Sequence, residues 1–260
     1  MRWPQALVAA MLAWVAADLL VGRLPGWPEA AGLAVMFGGL ALAAMRLSAQ
    51  GFVKAFCRAA GARARIALTF DDGPDPATTP QVLDVLRRHG VRATFFVLGA
   101  KVDAHPQLVA RLREQGHEVG THGYDHDWRS VLTVAGARRQ VQRGVDSLLR
   151  ALGVPPVFFR PPYGVVTPAL AVALAGARLQ VVGWSLRTRD GTGRGEPLAR
   201  AQWVVRVARA GDVILMHDAP REPGGRMPLG PAMLESVIVG LKDRGFELVV
   251  LSDLLARAAA

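Results

Sequence analysis

Beyond residue 65 the chain alternates short apolar runs with stretches of helical periodicity. Apolar runs rich in β-branched residues predict seven strands, near residues 66–70, 93–98, 117–121, 157–160, 179–184, 212–217 and 246–250. Between them, apolar residues recur every three or four positions, which predicts helices near 79–89, 105–115, 134–152, 197–209 and 231–244. This alternation is typical of a parallel sheet, so we predict an α/β fold. Seven units favour an irregular barrel over an open sheet, although spacing alone leaves closure undecided.

The first fifty residues have a different pattern. Residues 6–21 are apolar except for Asp18, and residues 30–47 carry no charge before Arg46. The link between them, residues 23–29, has the Pro and Gly content of a turn. Each run is close to the roughly 20 residues that a membrane-spanning helix needs. The pattern predicts an N-terminal hydrophobic helical hairpin in a membrane, and a signal peptide with one anchor, or two buried core helices, are the alternatives.

These patterns divide the chain into three parts. We predict membrane-anchoring segments in residues 1–50, a linker over 51–63 and a catalytic domain over 64–260. Basic residues lie before the first apolar run and after the second. The positive-inside rule therefore favours the cytoplasmic side of a bacterial inner membrane for the catalytic domain. If only one run spans the membrane, the catalytic domain lies on the other side.

Composition limits the classes of function. The 260 residues suffice for one sizeable domain, and a formal net charge of +10 is compatible with an acidic partner. The basic residues form no stripe interleaved with aromatic residues, so we expect no nucleic-acid partner. The single Cys57 excludes an internal disulfide framework and a paired-cysteine metal site.

Acidic and imidazole side chains follow the first and third predicted strands. Asp71 and Asp72 are adjacent acids that repel each other, and a bound dication relieves this by taking one of them as a ligand. His122 and His126, four residues apart, can reach one metal from a single turn. Together with Asp72 they leave coordination positions open, which is typical of a catalytic zinc site. The alternatives are an Asp-rich turn and an incidental histidine pair.

Two further motifs follow later strands. Arg160 begins the run Arg-Pro-Pro-Tyr-Gly, whose stiff backbone can hold N–H groups at a fixed position for an oxyanion, while the arginine can orient a carboxylate. His217 follows the sixth predicted strand and can protonate a leaving amine. A proline-rich turn with a surface arginine, and a structural histidine, are the alternatives.

Taken together, these motifs resemble the polysaccharide deacetylase family, carbohydrate esterase family 4, with its NodB homology domain. The resemblance covers roughly residues 63–255 and rests mainly on Thr-Phe-Asp-Asp-Gly-Pro at 69–74 and Arg-Pro-Pro-Tyr-Gly at 160–164. It implies a deformed (β/α)7 barrel. It also implies one divalent metal ion, usually Zn²⁺, with Co²⁺ or Ni²⁺ in some members.

The resemblance also implies roles for individual residues. Asp72, His122 and His126 become the metal ligands, and Asp71 becomes the general base that takes a proton from the attacking water. His217 becomes the general acid that protonates the departing amine.

Four other residues receive supporting roles from the same resemblance. Arg160 would orient Asp71, and Asp190 would pair with His217 and raise its pKa. A backbone N–H of Tyr163 would stabilise the oxyanion, and Leu215 would line a pocket for the acetyl methyl group.

The chain departs from the family pattern at two places. Gly123 stands where the histidine motif usually has Ser or Thr, and Arg187-Thr-Arg-Asp190-Gly191 replaces Asp-x-x-Asp-Trp. The missing acid and tryptophan put the identity of the substrate in doubt. Trp128 or Trp184 could compensate for the tryptophan, or both could be core residues.

The resemblance predicts a metal-dependent hydrolase that removes N-linked acetyl groups from N-acetylated sugars. The substrate would be a cell-envelope polysaccharide or a lipid-linked glycan, and the predicted hairpin favours the lipid-linked glycan. A catalytically silent glycan-binding or scaffolding membrane protein is the alternative. The native metal, acetyl against formyl specificity and oligomeric state stay open.

Overall fold

The computed structural model describes residues 26–45, 51–61, 63–190, 196–220 and 230–256, with Ala13 and Ala17. In these ranges nine strands form one sheet: β1 (Ala55–Phe56), β2 (Arg65–Asp71), β3 (Thr94–Val97), β4 (Glu118–Thr121), β5 (Phe158–Phe159), β6 (Gln180–Val182), β7 (Leu186–Arg187), β8 (Val213–His217) and β9 (Glu247–Val249). Every ladder between them is parallel. The carboxyl ends of the strands therefore meet at one edge of the sheet.

In the described ranges one helix precedes the first strand, one follows the last strand, and the others lie in the connections between strands. The helices are α1 (Trp27–Met45), α2 (Thr79–Arg88), α3 (Gly99–Ala104), α4 (Pro106–Glu114), α5 (Val134–Leu152), α6 (Pro168–Ala175), α7 (Pro197–Val207), α8 (Pro231–Asp243) and α9 (Leu251–Ala256). Two 3₁₀ turns cover Trp128–Leu132 and Pro162–Gly164. The Thr133 side chain caps α5 by accepting from the Gly136 N–H, and Gly153 ends the helix at a φ of 71°. These signals delimit the helix that packs behind the histidine motif.

Strand β2 lies at the centre of the sheet. The strand order is β1-β6-β5-β4-β3-β2-β8-β7, and β9 pairs with the start of β2. Six of the seven residues of β2 are buried, because the strand has neighbours on both edges and helices above the sheet. On one side, Phe70 stacks on Phe95 with ring centroids 4.9 Å apart, within a core shared with α2 and α8. The strand that ends in the paired acids is thus held rigidly.

The α/β fold with a parallel sheet is confirmed. All seven predicted strands are present, and β1 and β7 are additional strands of two residues each, too short to produce a periodic pattern. Strand β1 lies in the stretch predicted as a linker and pairs with β6. Within the described ranges β1 and β7 end the strand order without pairing to each other, so the sheet is curled rather than a closed seven-stranded barrel. The five predicted helices are present as α2, α4, α5, α7 and α8.

The predicted membrane location is wrong. Across the described parts of the chain, no helix combines the length and apolarity needed to cross a membrane. The first run, residues 6–21, lies outside the described residues except for Ala13 and Ala17, and the second run forms most of α1. The predicted inner-membrane anchoring and its cytoplasmic orientation are withdrawn. The division into segments 1–50, 51–63 and 64–260 stays a prediction.

Candidate active site

The two groups predicted to move protons lie side by side on neighbouring strands. Asp71 is the last residue of β2 and His217 the last of β8, and the ladder pairs their Cα atoms directly. Neighbouring strands are about 4.8 Å apart, so a small acyl group can contact both side chains. The next turn is tied to β2, because the Asp218 N–H donates to the Asp71 carbonyl over 3.3 Å.

Three potential metal ligands converge beside this pair. Ligand atoms of Asp72, His122 and His126 all lie within 4.8 Å of one another. Asp72 Oδ1 is 3.5 Å from His122 Nε2 and 3.3 Å from His126 Nε2. Tetrahedral ligands with zinc bonds of about 2.1 Å are separated by about 3.4 Å. Both distances match that separation, so each carboxylate–imidazole pair is compatible with binding one tetrahedral dication.

A backbone contact orients the first histidine. His122 Nδ1 lies 2.7 Å from the Arg160 carbonyl oxygen, which can only accept, so Nδ1 carries the proton. The lone pair of His122 is therefore on Nε2, the nitrogen that faces Asp72. Such a contact is typical of histidines that bind metals.

The loop with both histidines is held through its backbone. The Gly99 N–H donates to the Gly123 carbonyl and the Ala100 N–H to the Tyr124 carbonyl, each over 2.9 Å. Gln140 of α5 accepts from the Tyr124 N–H over 2.9 Å. Gly123 has a φ of 85°, which favours glycine and gives a physical reason for its departure from Ser or Thr.

Two of the three ligands also have left-handed backbone. The φ angles are 75° at Asp72 and 63° at His126. Non-glycine residues adopt this region at a cost of roughly 1–3 kcal/mol, and such residues concentrate at functional sites. At Asp72 the change turns the chain out of β2, so that consecutive carboxylates serve different partners.

Arg160 is fully buried and fixes Asp71. One guanidinium nitrogen donates to Asp71 Oδ1 over 2.7 Å and to Thr69 Oγ1 over 2.9 Å, and the other donates to the Gly183 carbonyl over 2.8 Å. Burial lowers the pKa of Arg160, and the charge of Asp71 opposes that effect. The alternative of a surface arginine in a proline-rich turn is excluded.

His217 is paired with Asp190, as the resemblance implied. Asp190 Oδ2 accepts from the His217 backbone N–H, and Oδ1 lies next to Nδ1, each over 2.8 Å. Burial by itself lowers the pKa of His217. The hydrogen bond and charge of Asp190, with the charges of Asp71 and Asp72, outweigh burial and raise this pKa to about 9. The raised pKa favours a protonated His217 at neutral pH, and Nε2 is the ring nitrogen that does not face Asp190.

The predicted substrate contacts lie at the same edge. Leu215 is buried and two residues before His217, so both side chains point to the same face of β8. Tyr163 follows β5 at a φ of 59°, and its ring centroid is 4.2 Å from that of His126. Trp184 packs under this turn, since a Cβ on Gly164 would lie 2.4 Å from its ring. Trp128 is 53% exposed.

Sequence reasoning missed a group of residues beneath the metal ligands. The Lys101 ammonium donates to the Asp72 carbonyl over 2.8 Å and to the Pro220 carbonyl over 3.0 Å. Asp218 accepts from the Thr79 hydroxyl over 2.5 Å, and burial, with a smaller contribution from the charge of Asp72, raises the pKa of Asp218 to about 7. Two features of the sequence could have indicated these residues: Lys101 is one of only three lysines in the chain, and Asp218 directly follows His217.

Comparison with known proteins agrees with this geometry. The family model described as "Polysaccharide deacetylase" matches residues 59–182. A chitooligosaccharide deacetylase of Sinorhizobium fredii is 40% identical over 190 residues, covering 69% of this chain and 86% of that protein. The chain belongs to the polysaccharide deacetylase family.

Other members of the polysaccharide deacetylase family are similar over a larger part of the chain. The peptidoglycan-N-acetylglucosamine deacetylase PgdA of Listeria monocytogenes is 34% identical over 237 residues, covering 91% of this chain and 48% of PgdA. The chain therefore spans about half of that relative. The structure of the peptidoglycan deacetylase PdaC from Bacillus subtilis aligns with a TM-score of 0.66 and 34% identity, covering 75% of this chain and 91% of that one.

Proposed function

We propose that the protein is a metal-dependent hydrolase that removes N-linked acetyl groups from N-acetylated sugars of a cell-envelope polysaccharide. One observation carries this proposal: the adjacent acids Asp71 and Asp72 have different partners. Asp71 accepts a hydrogen bond from Arg160, whereas Asp72 lies next to His122 and His126. The named activities of the related deacetylases support the same reaction class.

Asp72, His122 and His126 would hold the dication. Two imidazoles and one carboxylate suit Zn²⁺ best, and Co²⁺ or Ni²⁺ can bind the same donors. A bound dication supplies a water of lowered pKa and polarises the acyl carbonyl. The burial of Asp72 and His122 separates the ligands from bulk solvent and strengthens their electrostatic interactions.

Asp71 acts as the general base in this proposal. Its Oδ1 is held by Arg160, while Oδ2 lies 3.9 Å from His122 Nε2, on the side of the metal ligands. Oδ2 of Asp71 would take a proton from a water molecule while the oxygen of that water attacks the carbonyl carbon. Arg160 holds Oδ1 of Asp71, so Oδ2 is the oxygen on the side of the predicted metal ligands.

His217 acts as the general acid. When the carbon–nitrogen bond breaks, the amine nitrogen needs a proton, and the raised pKa of His217 keeps that proton available. The backbone N–H of Tyr163 would stabilise the oxyanion, and Leu215 would contact the acetyl methyl group.

The experiment is metal loading followed by turnover. Zinc-loaded protein should release acetate from chitotetraose or peptidoglycan fragments, and the variant Asp71→Asn should lose at least about a hundredfold in kcat while keeping its zinc. A lipid-linked N-acetylated glycan is the second substrate to assay, since the sequence also predicted it. Zinc binding and glycan binding without any acetate release would instead support the catalytically silent alternative.

A further inference from the structure

An apolar groove lies next to the metal ligands and has no role in the reaction described above. Its volume is ≈ 370 Å³ and its surface is almost entirely apolar. It is lined by Trp128, Val131, Leu132, Pro162, Tyr163, Val165 and Thr167. These residues follow β4 and β5, the strands that also deliver His122 and Arg160.

The groove is continuous with the site through Tyr163. One side of the Tyr163 ring lines the groove, and the same ring meets the imidazole of His126 edge-on at 4.2 Å between centroids. A ligand that extends from the metal ligands past Tyr163 therefore reaches Trp128. The sheet order places β7, with Asp190 after it, on the far side of β2 and β8. The groove therefore lies on the opposite side of the site from Asp190, whose motif lacks the tryptophan found in the family.

The two aromatic rings are exposed, yet their backbone is held firmly. Trp128 is 53% exposed and Tyr163 46% exposed. The Asp127 side chain caps the turn by accepting from the Arg129 N–H over 3.0 Å. The Thr167 hydroxyl donates to the Val131 carbonyl across the floor of the groove. Leu132, which lines the same groove, is 56% exposed, so these side chains form a contiguous apolar patch of the kind that marks a binding surface.

We propose that this groove binds the apolar face of the sugar that adjoins the N-acetylated residue in the chain, with Trp128 as its stacking platform. The inference rests on the proposed function and names a subsite for a polymeric substrate. A pyranose ring has an apolar C–H face and a hydroxyl edge. The groove offers aromatic rings beside the exposed, charged Asp127 and Arg129, which suits such an amphipathic ligand.

The test compares ligand length in variants at Trp128. Trp128→Ala should raise the KM for chitotetraose about tenfold, leave kcat within about twofold, and leave kinetics on monomeric N-acetylglucosamine unchanged. Trp128→Phe keeps an aromatic face and should stay within about threefold of the wild type. The matched control is Trp203→Ala, which removes an exposed tryptophan on α7. It should leave the kinetics on both substrates unchanged. Thermal unfolding verifies that each variant folds.

Binding is measured separately from turnover, so that the subsite and the reaction can fail independently. Calorimetry on zinc-loaded Asp71→Asn protein, with and without Trp128→Ala, should show the same tenfold loss for chitotetraose. Equal losses for tetramer and monomer, or no loss, would overturn the inference. A loss of affinity confined to N-octanoyl-glucosamine would also overturn the inference, because it would show that the groove binds an acyl chain. If chitotetraose binds through Trp128 but is never deacetylated, the proposed function fails and the subsite stands; if it neither binds nor reacts, both fail.

Discussion

Replacing Asp190 by asparagine should move the alkaline limit of activity. The substitution keeps the size of the side chain and removes the charge that accepts from His217. The surroundings raise the pKa of His217 from the ordinary 6.5 to about 9, a difference that corresponds to about 3.4 kcal/mol. Among the groups that raise this pKa, Asp190 contributes most, through its hydrogen bond and its charge, ahead of Asp71 and Asp72.

The size of the effect depends on pH. If the pKa of His217 returns from about 9 to the ordinary 6.5, the protonated fraction at pH 8 drops from about 90% to about 3%. We expect kcat/KM at pH 8 to fall by up to about thirtyfold, with a loss of less than twofold at pH 6. The assay is a pH profile of kcat/KM on chitotetraose from pH 5 to 10, since this parameter reports groups of the free enzyme.

Two controls accompany this profile. Zinc content should be unchanged, because Asp190 is not among the predicted ligands, and thermal unfolding should show a folded protein. An alkaline limit at the same pH in wild type and Asp190→Asn would refute the assignment of that limit to His217. A uniform loss at all pH values would make Asp190 a positioning residue only.

Three other substitutions test the framework of the site. Arg160→Met leaves the carboxylate of Asp71 buried without its partner and should cost about 3–5 kcal/mol in urea unfolding. Burial, and to a lesser extent the charge of Arg92, lowers the pKa of His117 to about 4. Because the unfolded chain then binds a proton at higher pH than the folded protein, wild-type stability should fall as pH drops below about 6.5. The expected loss in free energy of unfolding is about 2 kcal/mol between pH 8 and pH 5. His117→Asn should remove that part of the dependence. Gly144→Ala places a Cβ 2.6 Å from the Gly123 carbonyl, and should cost about 1–3 kcal/mol and weaken zinc binding.

Matched controls exist for these substitutions. Arg150→Met removes an exposed pair with Asp103 and should leave the free energy of unfolding nearly unchanged. Gly176→Ala adds a Cβ with nothing within 4 Å and should be close to neutral. A wild-type pH dependence that persists in His117→Asn, or zinc affinity unchanged in Gly144→Ala, would contradict the corresponding argument.

The apolar pattern was sufficient to predict a parallel sheet and seven of the nine strands in the described ranges. Strand β2 and helix α5 are long and periodic, so burial and caps place them close to where the sequence predicts. Strands β1 and β7 have two residues each, and their pairing depends on neighbours far away in the chain. The apolar run that forms most of α1 was also misleading, because apolarity alone does not distinguish a membrane span from another helix.

By itself, the sequence determined the chemical identity of the site: which acids, imidazoles and arginine follow strand ends, and hence which family the chain belongs to. Only the tertiary structure decided what each group contacts. The sequence assigned different roles to the neighbours Asp71 and Asp72 only through the family resemblance, whereas the fold shows one facing Arg160 and the other facing two histidines. Likewise, only the fold shows that Trp184 packs beneath a turn while Trp128 faces a groove. The reason is that backbone register and burial, which separate such roles, arise from contacts between residues distant along the chain.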